Sequence, residues 1–285
     1  MSVLKLAIQK SGRLNEDSLK ILKDCGISIE NGNDQLKAAA SNFPLEVLFL
    51  RNSDIPQYLL DGVIDVAIVG DNLLLEKGNN IAISQKLGFS KCRVSVAVPK
   101  TFEFNSIDDL SNLRIATSYP NTVLNYFKSK KISVELHEIS GSVEIAPNIG
   151  LADAIVDIVS SGNTLFKNNL KEVAVIFQSE AVLALSPKIS PSSQKILSQL
   201  EFRIKSVLKA RHCKYILMNV PNDRIAQVSA ILPVLKSPTI MPLADKEWSS
   251  LHSVIHEDQF WEVIDQLKQA GAEGILVCPI EKMVL

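Results

Sequence analysis

The spacing of hydrophobic and polar positions divides the first 100 residues into short strands and amphipathic helices. Runs of strand length are VLKLAI (3–8), EVLFL (46–50), VIDVAIVG (63–70) and KCRVSVAVP (91–99). Helical spacing separates these runs. Asn15 is a candidate N-cap for the helix that ends at Gly26, while Asp54 and Pro56 mark the start of a second helix.

The same alternation continues through a second unit. RIATSYP (114–120), ISVELHEI (132–139) and ADAIVDIV (152–159) predict strands, and NTVLNYFKSK predicts a helix capped by Asn121 or Thr122. Strands that alternate with helices indicate parallel sheets covered on both faces. Ligands of such sheets bind beside the carboxyl ends of the strands, so two units of this kind predict a cleft between them.

A long extended segment, residues 173–186, follows the second unit and is suited to return the chain to the first one. We therefore expect a discontinuous first domain, residues 1–98 with 180–211, and a second domain, residues 99–179. The stretch 190–212 predicts a helix that is capped by Ser190 and has Pro191 at its first position.

The last part of the chain has a different pattern. Residues 212–285 have the order βαββαβ, which is typical of a separate ferredoxin-like module. No chemical cluster is evident there, so a regulatory or oligomerisation role is the default interpretation. His252 and His256 have a spacing that suits zinc on a helix, but on the predicted strand their rings would be about 13 Å apart.

Composition and charge exclude several classes of function. The chain has 285 residues, 46% of them hydrophobic, and a net charge of −1, which argues against a nucleic-acid-binding protein. Neither a signal peptide nor a membrane-spanning run is evident, so we expect a cytoplasmic protein without membrane contact. The four cysteines form no CxxC pair and are expected to be buried thiols.

LADAIVDIVSSGNTL (151–165) carries the strongest chemical signal. Its strand ends in small polar residues, Ser160 to Thr164, whose N–H and hydroxyl groups would form an anion site at the start of a helix. Asp153 and Asp157 point to the same face about 13 Å apart, so only Asp157 lies beside the loop. An ordinary strand-to-helix turn with exposed acids remains an alternative interpretation.

Other strand ends also carry polar residues. Lys10 and Arg13 flank a glycine turn and suit pyrophosphate or triphosphate oxygens, although a solvated basic turn is equally consistent with the pattern. Glu144 begins a short helix, where the helix dipole alone would favour a carboxylate. No GxSxG, Walker or GxGxxG motif occurs, and no residue stands out as a catalytic base.

Taken in order, these motifs resemble the long form of the ATP phosphoribosyltransferase family over the whole chain. The motifs that carry the resemblance are AIQKSGRL, GDNLL, RIATSYP, GSVEIAP, DAIVDIVSSGNTL, SPTIMPLA and ILVCPIEKM. The resemblance implies a two-domain catalytic core like type II periplasmic binding proteins and a histidine-binding C-terminal domain. It also implies phosphoribosyl transfer from phosphoribosyl pyrophosphate to ATP with Mg²⁺, feedback inhibition by histidine, and dimers that assemble into hexamers.

The resemblance further implies roles for individual residues. The sugar pyrophosphate is expected at Asp157 and the loop, with Asp153 as a weaker candidate; the loop residues are Ser160, Ser161, Gly162, Asn163 and Thr164. ATP or pyrophosphate is expected near four residues, namely Lys10, Arg13, Tyr119 and Glu144. Histidine is expected near Ser237, Pro238 and Thr239. Two alternatives are a solute-binding protein of the same core fold and a phosphoribosyltransferase that acts on a free base.

Overall fold

The computed structural model describes residues 2–30, 35–78, 81–232 and 237–284. It divides into two compact units, the larger formed by Met1–Lys23 and Ile27–Leu197 and the smaller by Asp24–Gly26 and Ser198–Leu285. Within the described ranges, no helix is both long and apolar enough to cross a bilayer.

The larger unit contains two sheets. Its strands are β1 (Leu4–Gln9), β2 (Lys37–Ala39), β3 (Leu45–Leu50), β4 (Val66–Gly70), β5 (Ala82–Lys86), β6 (Cys92–Pro99), β7 (Arg114–Thr117), β8 (Glu135–Glu138), β9 (Ala154–Val159), β10 (Leu170–Ser179) and β11 (Ala181–Leu185). Its helices are α1 (Arg13–Asp24), α2 (Ile55–Asp61), α3 (Asp71–Lys77), α4 (Pro120–Lys130) and α5 (Asn163–Lys167), and α6 (Pro191–Arg211) leads into the smaller unit. Two 3₁₀ turns are Ile107–Leu110 and Val143–Ile145.

Both sheets follow one plan. The first has the order β2-β3-β1-β4-β11-β5 and the second β10-β6-β9-β7-β8. In each, three parallel strands are followed by an antiparallel strand that the chain supplies as it crosses from the other sheet, β11 in the first and β6 in the second. This exchange of strands confirms the predicted two-lobed core of the type II periplasmic-binding-protein kind. We call the two sheets with their helices the first lobe and the second lobe.

Burial on both faces explains the apolar composition of the strands. In β9, Ala154 and Val156 pack into one core cluster of the second lobe, whereas Ile155 and Val159 pack into another on the opposite face. Asp157 shares the second face by the period of two along a strand. The acid therefore interrupts a face that is otherwise part of the core.

Several predicted helix caps differ from those observed. Helix α1 begins at Arg13, so Asn15 lies in its first turn and donates its side-chain N–H to the Gln9 carbonyl at 2.7 Å. Asp54 lies at the N-cap position of α2, as predicted, but its side chain makes no capping hydrogen bond. Helix α4 begins at Pro120, because proline suits the first helical position, and this leaves Asn121 and Thr122 inside the first turn.

The cap of α6 is confirmed, since the Ser193 N–H donates to the Ser190 hydroxyl at 3.1 Å. The extended segment 173–186 does return the chain to the first lobe, but it consists of two strands in different sheets, β10 and β11. Strands β2 and β5 were not predicted. Both contain few of the β-branched and aromatic residues that mark a strand in the sequence.

The smaller unit contains the predicted βαββαβ module. Its elements are β12 (Cys213–Pro221), α7 (Ile225–Ile231), β13 (Thr239–Pro242), β14 (Trp248–His256), α8 (Glu257–Gln269) and β15 (Glu273–Pro279). All neighbours in the order β13-β14-β12-β15 are antiparallel, as in a ferredoxin-like sheet. His252 and His256 lie on strand β14, as predicted.

The prediction that all four thiols are buried is wrong. Cys25 and Cys213 are buried, but Cys92 is half-buried and Cys278 is exposed. Cys278 lies on β15, where most side chains reach solvent, so its apolar sequence context did not indicate burial.

Candidate functional site

Polar residues at the carboxyl ends of strands meet between the two lobes. Arg13, after β1, donates from Nη1 to the Ser160 hydroxyl, after β9, at 3.2 Å. Asn72, after β4, lies with its Nδ2 3.4 Å from the hydroxyl oxygen of Tyr119, after β7. These two contacts bring four strand ends that are far apart in sequence to one interlobe cleft.

Asp157 lies on the cleft side of β9, and its environment disfavours charge. Burial, and to a smaller extent the negative charge of Glu144, together raise the pKa of its carboxyl to about 6, against a hydrogen bond of 2.8 Å from the Ile158 N–H that lowers it. Glu144 is close because its 3₁₀ turn packs, through Val143, on the face of β9 that carries Asp157. The structure thus brings together two acids that lie in separate motifs of the sequence.

Tyr119 is the third member of this group. Burial raises the pKa of its hydroxyl, and the Asp157 charge adds to the effect, so the phenol stays protonated at any physiological pH. The hydroxyl can therefore donate a hydrogen bond inside the cleft. Tyr119 also lies directly before helix α4, and its position depends on how that helix is held.

Asn72 is fixed by the segment where the chain crosses between lobes. Its Oδ1 accepts a hydrogen bond from the Ser179 hydroxyl at 2.8 Å, and its backbone N–H donates to the Ser179 hydroxyl oxygen at 3.2 Å. Gly70 leaves the space that this arrangement needs, because a Cβ there would lie 2.3 Å from the Asn72 Oδ1. The sequence motif GDNLL therefore contains a buried amide that reaches the cleft.

The loop Ser160–Thr164 is open to solvent and carries three hydroxyl groups. The side chains of Ser160, Ser161 and Thr164 are exposed. Gly162 has φ +79°, a conformation that favours glycine, and the chain enters helix α5 directly after it. The Asn163 N–H is 3.5 Å from the Ser161 hydroxyl oxygen, so the first amide of α5 faces the loop.

Arg93, on the neighbouring strand β6, contacts this loop, and no sequence pattern identified it as a candidate. Its Nη1 donates to the Ser160 carbonyl at 3.1 Å. Its Nε and Nη2 each donate to one carboxylate oxygen of Glu172, on β10, at 2.5 Å. The Ser95 hydroxyl donates to the same carboxylate at 2.8 Å. Arg93 and Glu172 are 79 residues apart, and no local pattern links them.

Asp153 lies at the opposite end of β9 and is engaged elsewhere. Its carboxylate accepts two hydrogen bonds from the Arg114 guanidinium, at 2.7 and 3.1 Å, and one from the Arg114 backbone N–H at 3.0 Å. Arg114 holds the pKa of the Asp153 carboxyl below its usual range. The structure does not bring Asp153 to the loop.

The remaining sequence candidates lie in two regions. Lys10 is exposed directly after β1, and its backbone N–H donates to the Leu50 carbonyl at 2.8 Å. In the smaller unit, Ser237 and Pro238 lead into β13, where Thr239 pairs with His252 of β14. Among the residues that the structure describes, no three His, Cys, Asp or Glu side chains form a metal-binding group.

Comparisons with known proteins identify the family. A family model described as ATP phosphoribosyltransferase matches residues 51–206, and one described as the HisG C-terminal domain matches residues 210–282. An ATP phosphoribosyltransferase of Cytophaga hutchinsonii is 57% identical over 283 residues and 99% of either chain. One of Bacteroides thetaiotaomicron is 48% identical over 283 residues, which are 99% of this chain and 100% of that one.

A solved structure agrees with these matches. A chain of the ATP phosphoribosyl transferase (HisG:HisZ) complex from Thermotoga maritima superposes with a TM-score of 0.62 and is 32% identical, covering 73% of this chain and 99% of its own. Two lobes that exchange strands around one polar cleft define a two-lobed α/β ligand-binding protein. More particularly, the chain belongs to the ATP phosphoribosyltransferase family and, since both family models match it, to the long form.

Proposed function

We propose that this chain transfers the 5-phosphoribosyl group of phosphoribosyl pyrophosphate to N1 of the adenine of ATP, which is the first step of histidine biosynthesis. The observation that carries the proposal is 57% identity to an ATP phosphoribosyltransferase over 99% of both chains. The cleft supports it, because Asp157, Glu144 and Tyr119 converge there beside an open loop of N–H and hydroxyl groups.

The reaction needs positioning and charge stabilisation rather than a protein nucleophile. Adenine N1 forms a bond to the sugar C1 while the bond from C1 to the pyrophosphate oxygen breaks, and the bonding electrons leave with pyrophosphate. Positive charge develops on the ribosyl group in the transition state. Carboxylates such as Asp157 and Glu144 stabilise such a charge when they are already fixed in place. We name no catalytic base.

In this proposal the 5-phosphate binds the loop and the ribose hydroxyls bind Asp157. The loop offers exposed hydroxyls on Ser160, Ser161 and Thr164, and the conformation at Gly162 turns the backbone into α5. Asn163 contributes its backbone N–H. Asp153 is left out of the proposed contacts, because Arg114 already occupies both of its carboxylate oxygens.

Lys10 and Arg13 are proposed to bind phosphate oxygens of ATP or of the departing pyrophosphate. Both follow β1 at the cleft, and Arg13 already reaches the second lobe through Ser160. A guanidinium suits this role because it can donate two parallel hydrogen bonds to one phosphate. Tyr119 and Glu144 are proposed to line the nucleotide site, with the protonated phenol as a donor.

We propose that Mg²⁺ enters with the pyrophosphate and is held mainly by its oxygens. The cleft offers two carboxylates that could supplement the pyrophosphate oxygens, since Glu144 lies near enough to Asp157 for its negative charge to raise the Asp157 pKa. A hard cation prefers such oxygen ligands. When bound, Mg²⁺ would make pyrophosphate a better leaving group.

The chain organisation is proposed to follow the family. Residues 1–98 with 180–211 form the first catalytic domain, 99–179 the second, and 212–285 a regulatory domain that binds histidine near Ser237–Thr239. We further propose cytoplasmic dimers that assemble into hexamers. The contacts of Thr239 support an effector site. Thr239 pairs with His252 of β14, and the His252 ring shares a hydrogen bond of 2.8 Å with the Tyr215 hydroxyl, so polar groups held in place lie beside the proposed histidine segment.

The proposal is tested by mixing purified protein with ATP, phosphoribosyl pyrophosphate and Mg²⁺. The expected result is a new ultraviolet-absorbing nucleotide only when all three are present, and less of it when histidine is added. A product formed from free adenine but not from ATP would indicate a phosphoribosyltransferase acting on a base. Tight binding of a small solute without turnover would favour a binding protein.

A further inference from the structure

The phosphate loop rests on a network of charged side chains that none of the proposed substrate contacts uses. Arg93 is the centre of this network, because it bonds the Ser160 carbonyl and both carboxylate oxygens of Glu172. Ser95 adds a second donor to Glu172. The network joins three adjacent strands, β6, β9 and β10, directly beneath the loop.

The charge of Arg93 is already paired, which makes it an unsuitable primary ligand for a phosphate. The guanidinium holds the pKa of the Glu172 carboxyl below its ordinary value, so this carboxylate stays ionised next to it. A negative group beside the loop would oppose an incoming phosphate unless Arg93 neutralised it. The pair therefore contributes geometry to the loop rather than net charge.

The geometry follows from the planar peptide unit. In a trans peptide, the carbonyl of one residue and the N–H of the next point in opposite directions. Arg93 draws the Ser160 carbonyl toward β6 and β10, away from the open side of the loop. The Ser161 N–H must then point to the open side, where the exposed hydroxyls of the loop lie.

We propose that Arg93, fixed by Glu172 and Ser95, is a positioning residue that orients the Ser160–Ser161 peptide so that the Ser161 N–H binds the 5-phosphate of the sugar pyrophosphate. This inference rests on the proposed function of the loop. It adds a residue that acts on substrate through the backbone, without touching it. Both hydrogen-bonding arms of the guanidinium are needed, because one holds the carbonyl while the other is anchored to Glu172.

The chain contains a matched control at the opposite end of strand β9. The Arg114 guanidinium donates two hydrogen bonds to Asp153 and one, at 3.1 Å, to the Gly150 carbonyl. It thus repeats the arrangement of Arg93 with a carboxylate and a loop carbonyl. Its loop precedes β9, whereas the proposed phosphate loop follows it. Loss of Arg114 should therefore affect stability without affecting the phosphate.

The experiment compares Arg93→Lys, Ser95→Ala and Arg114→Lys in the full-length protein. Lysine keeps the charge, but its N–H groups lie on one nitrogen and cannot reproduce the planar fork with which Nε, Nη1 and Nη2 of Arg93 reach three separate acceptors. For Arg93→Lys we expect KM for phosphoribosyl pyrophosphate to rise about tenfold, as for the loss of one well-placed hydrogen bond, while KM for ATP changes less than about twofold. Ser95→Ala should give a smaller rise, and Arg114→Lys none.

Competition by two fragments of the substrate separates this inference from its rivals. Ribose 5-phosphate, in competition with phosphoribosyl pyrophosphate, should inhibit Arg93→Lys less strongly than the wild type. Pyrophosphate should inhibit both proteins equally. Weaker competition by pyrophosphate alone, or equal effects of Arg93→Lys and Arg114→Lys, would overturn the role of Arg93. If Arg93→Lys does not fold, Ser95→Ala must still show the selective loss. A wild-type protein without turnover would instead reject the proposed function itself.

Discussion

Glu76 of the first lobe caps helix α4 of the second lobe through Thr122. Its Oε2 accepts hydrogen bonds from the Thr122 N–H at 2.9 Å and from the Thr122 hydroxyl at 2.7 Å, while Oε1 accepts the Asn121 N–H at 3.0 Å. The carboxylate is buried, and Tyr119, at the N-cap position, makes no side-chain cap of its own. A residue from one lobe therefore supplies the missing cap of the other.

We predict that Glu76→Gln destabilises the fold and displaces Tyr119. Glutamine is nearly isosteric, but its NH₂ group would face one of the donors and the charge that favours a helix N-terminus would be lost. The expected loss in free energy of unfolding is about 1–3 kcal/mol. Urea unfolding measures it, with Glu103→Gln, an exposed carboxylate, as the control. Equal midpoints for both variants would show that the cap contributes nothing.

Asp157→Asn is predicted to stabilise the protein while reducing its activity. Burial raises the Asp157 pKa to about 6, so the ionised form is unfavourable in the folded state. The contribution of this group to stability is present below the ordinary pKa near 4 and is lost as pH rises through about 6. Asparagine removes that loss. We expect a gain in the free energy of unfolding of about 1–2 kcal/mol at pH 7, a value kept small because the group is partly solvated. At pH 3.5 the gain should almost vanish, because the carboxyl is then protonated in the folded protein.

Asp157→Asn should also lower the affinity for substrate. At pH 7 the variant should bind phosphoribosyl pyrophosphate more weakly, because an amide replaces the carboxylate that we assign to the ribose hydroxyls. A more stable and less active variant is the combination expected when a charge is buried for function. A variant that loses stability at pH 7 would contradict the raised pKa of Asp157.

Glu144→Gln is predicted to move the acidic limb of the pH profile to lower pH. After burial, the charge of Glu144 is the next cause that raises the Asp157 pKa. Removing this like charge should lower the pKa of Asp157 from about 6 toward its ordinary value. The profile of kcat/KM for phosphoribosyl pyrophosphate measures the change, since it reports groups of the free enzyme. An unchanged limb would show that it does not report Asp157.

The sequence predicted what depends on local pattern. Strand β9 and its loop were visible because an apolar run of strand length ends in small polar residues, and the C-terminal βαββαβ order was visible from the succession of periods. The separation of Asp153 from Asp157 also followed from strand geometry alone. These features need only neighbours along the chain.

Long-range partners were not predictable. Glu76 lies 46 residues before Thr122, and Arg93 lies 79 residues before Glu172. Glu76 and Thr122 meet because the two lobes lie against each other, and Arg93 and Glu172 meet because β6 and β10 are neighbours in the second sheet. A single sequence gives neither the pairing of distant strands nor its register. The caps assigned to Asn15 and Asn121 failed for a related reason. A nearby polar residue suggested a local cap, whereas the observed cap of α4 comes from another lobe.

The last prediction concerns Gly70, which we expect to be required only because of Asn72. Its φ of −70° suits any residue, so alanine would cause no backbone strain there. A Cβ at this position would lie 2.3 Å from the Asn72 Oδ1 and would push the amide away from both Ser179 and Tyr119. Gly70→Ala should therefore cost about 1–3 kcal/mol, as overpacking does.

A double-mutant cycle tests this dependence directly. Asn72→Ala removes the atom that alanine at position 70 would meet, so adding Gly70→Ala to that variant should cost little further stability. The two substitutions should then show a coupling energy close to the full effect of Gly70→Ala alone. Additive losses would mean that Gly70 is needed for another reason, and the support of Tyr119 by Asn72 would lose its main structural argument.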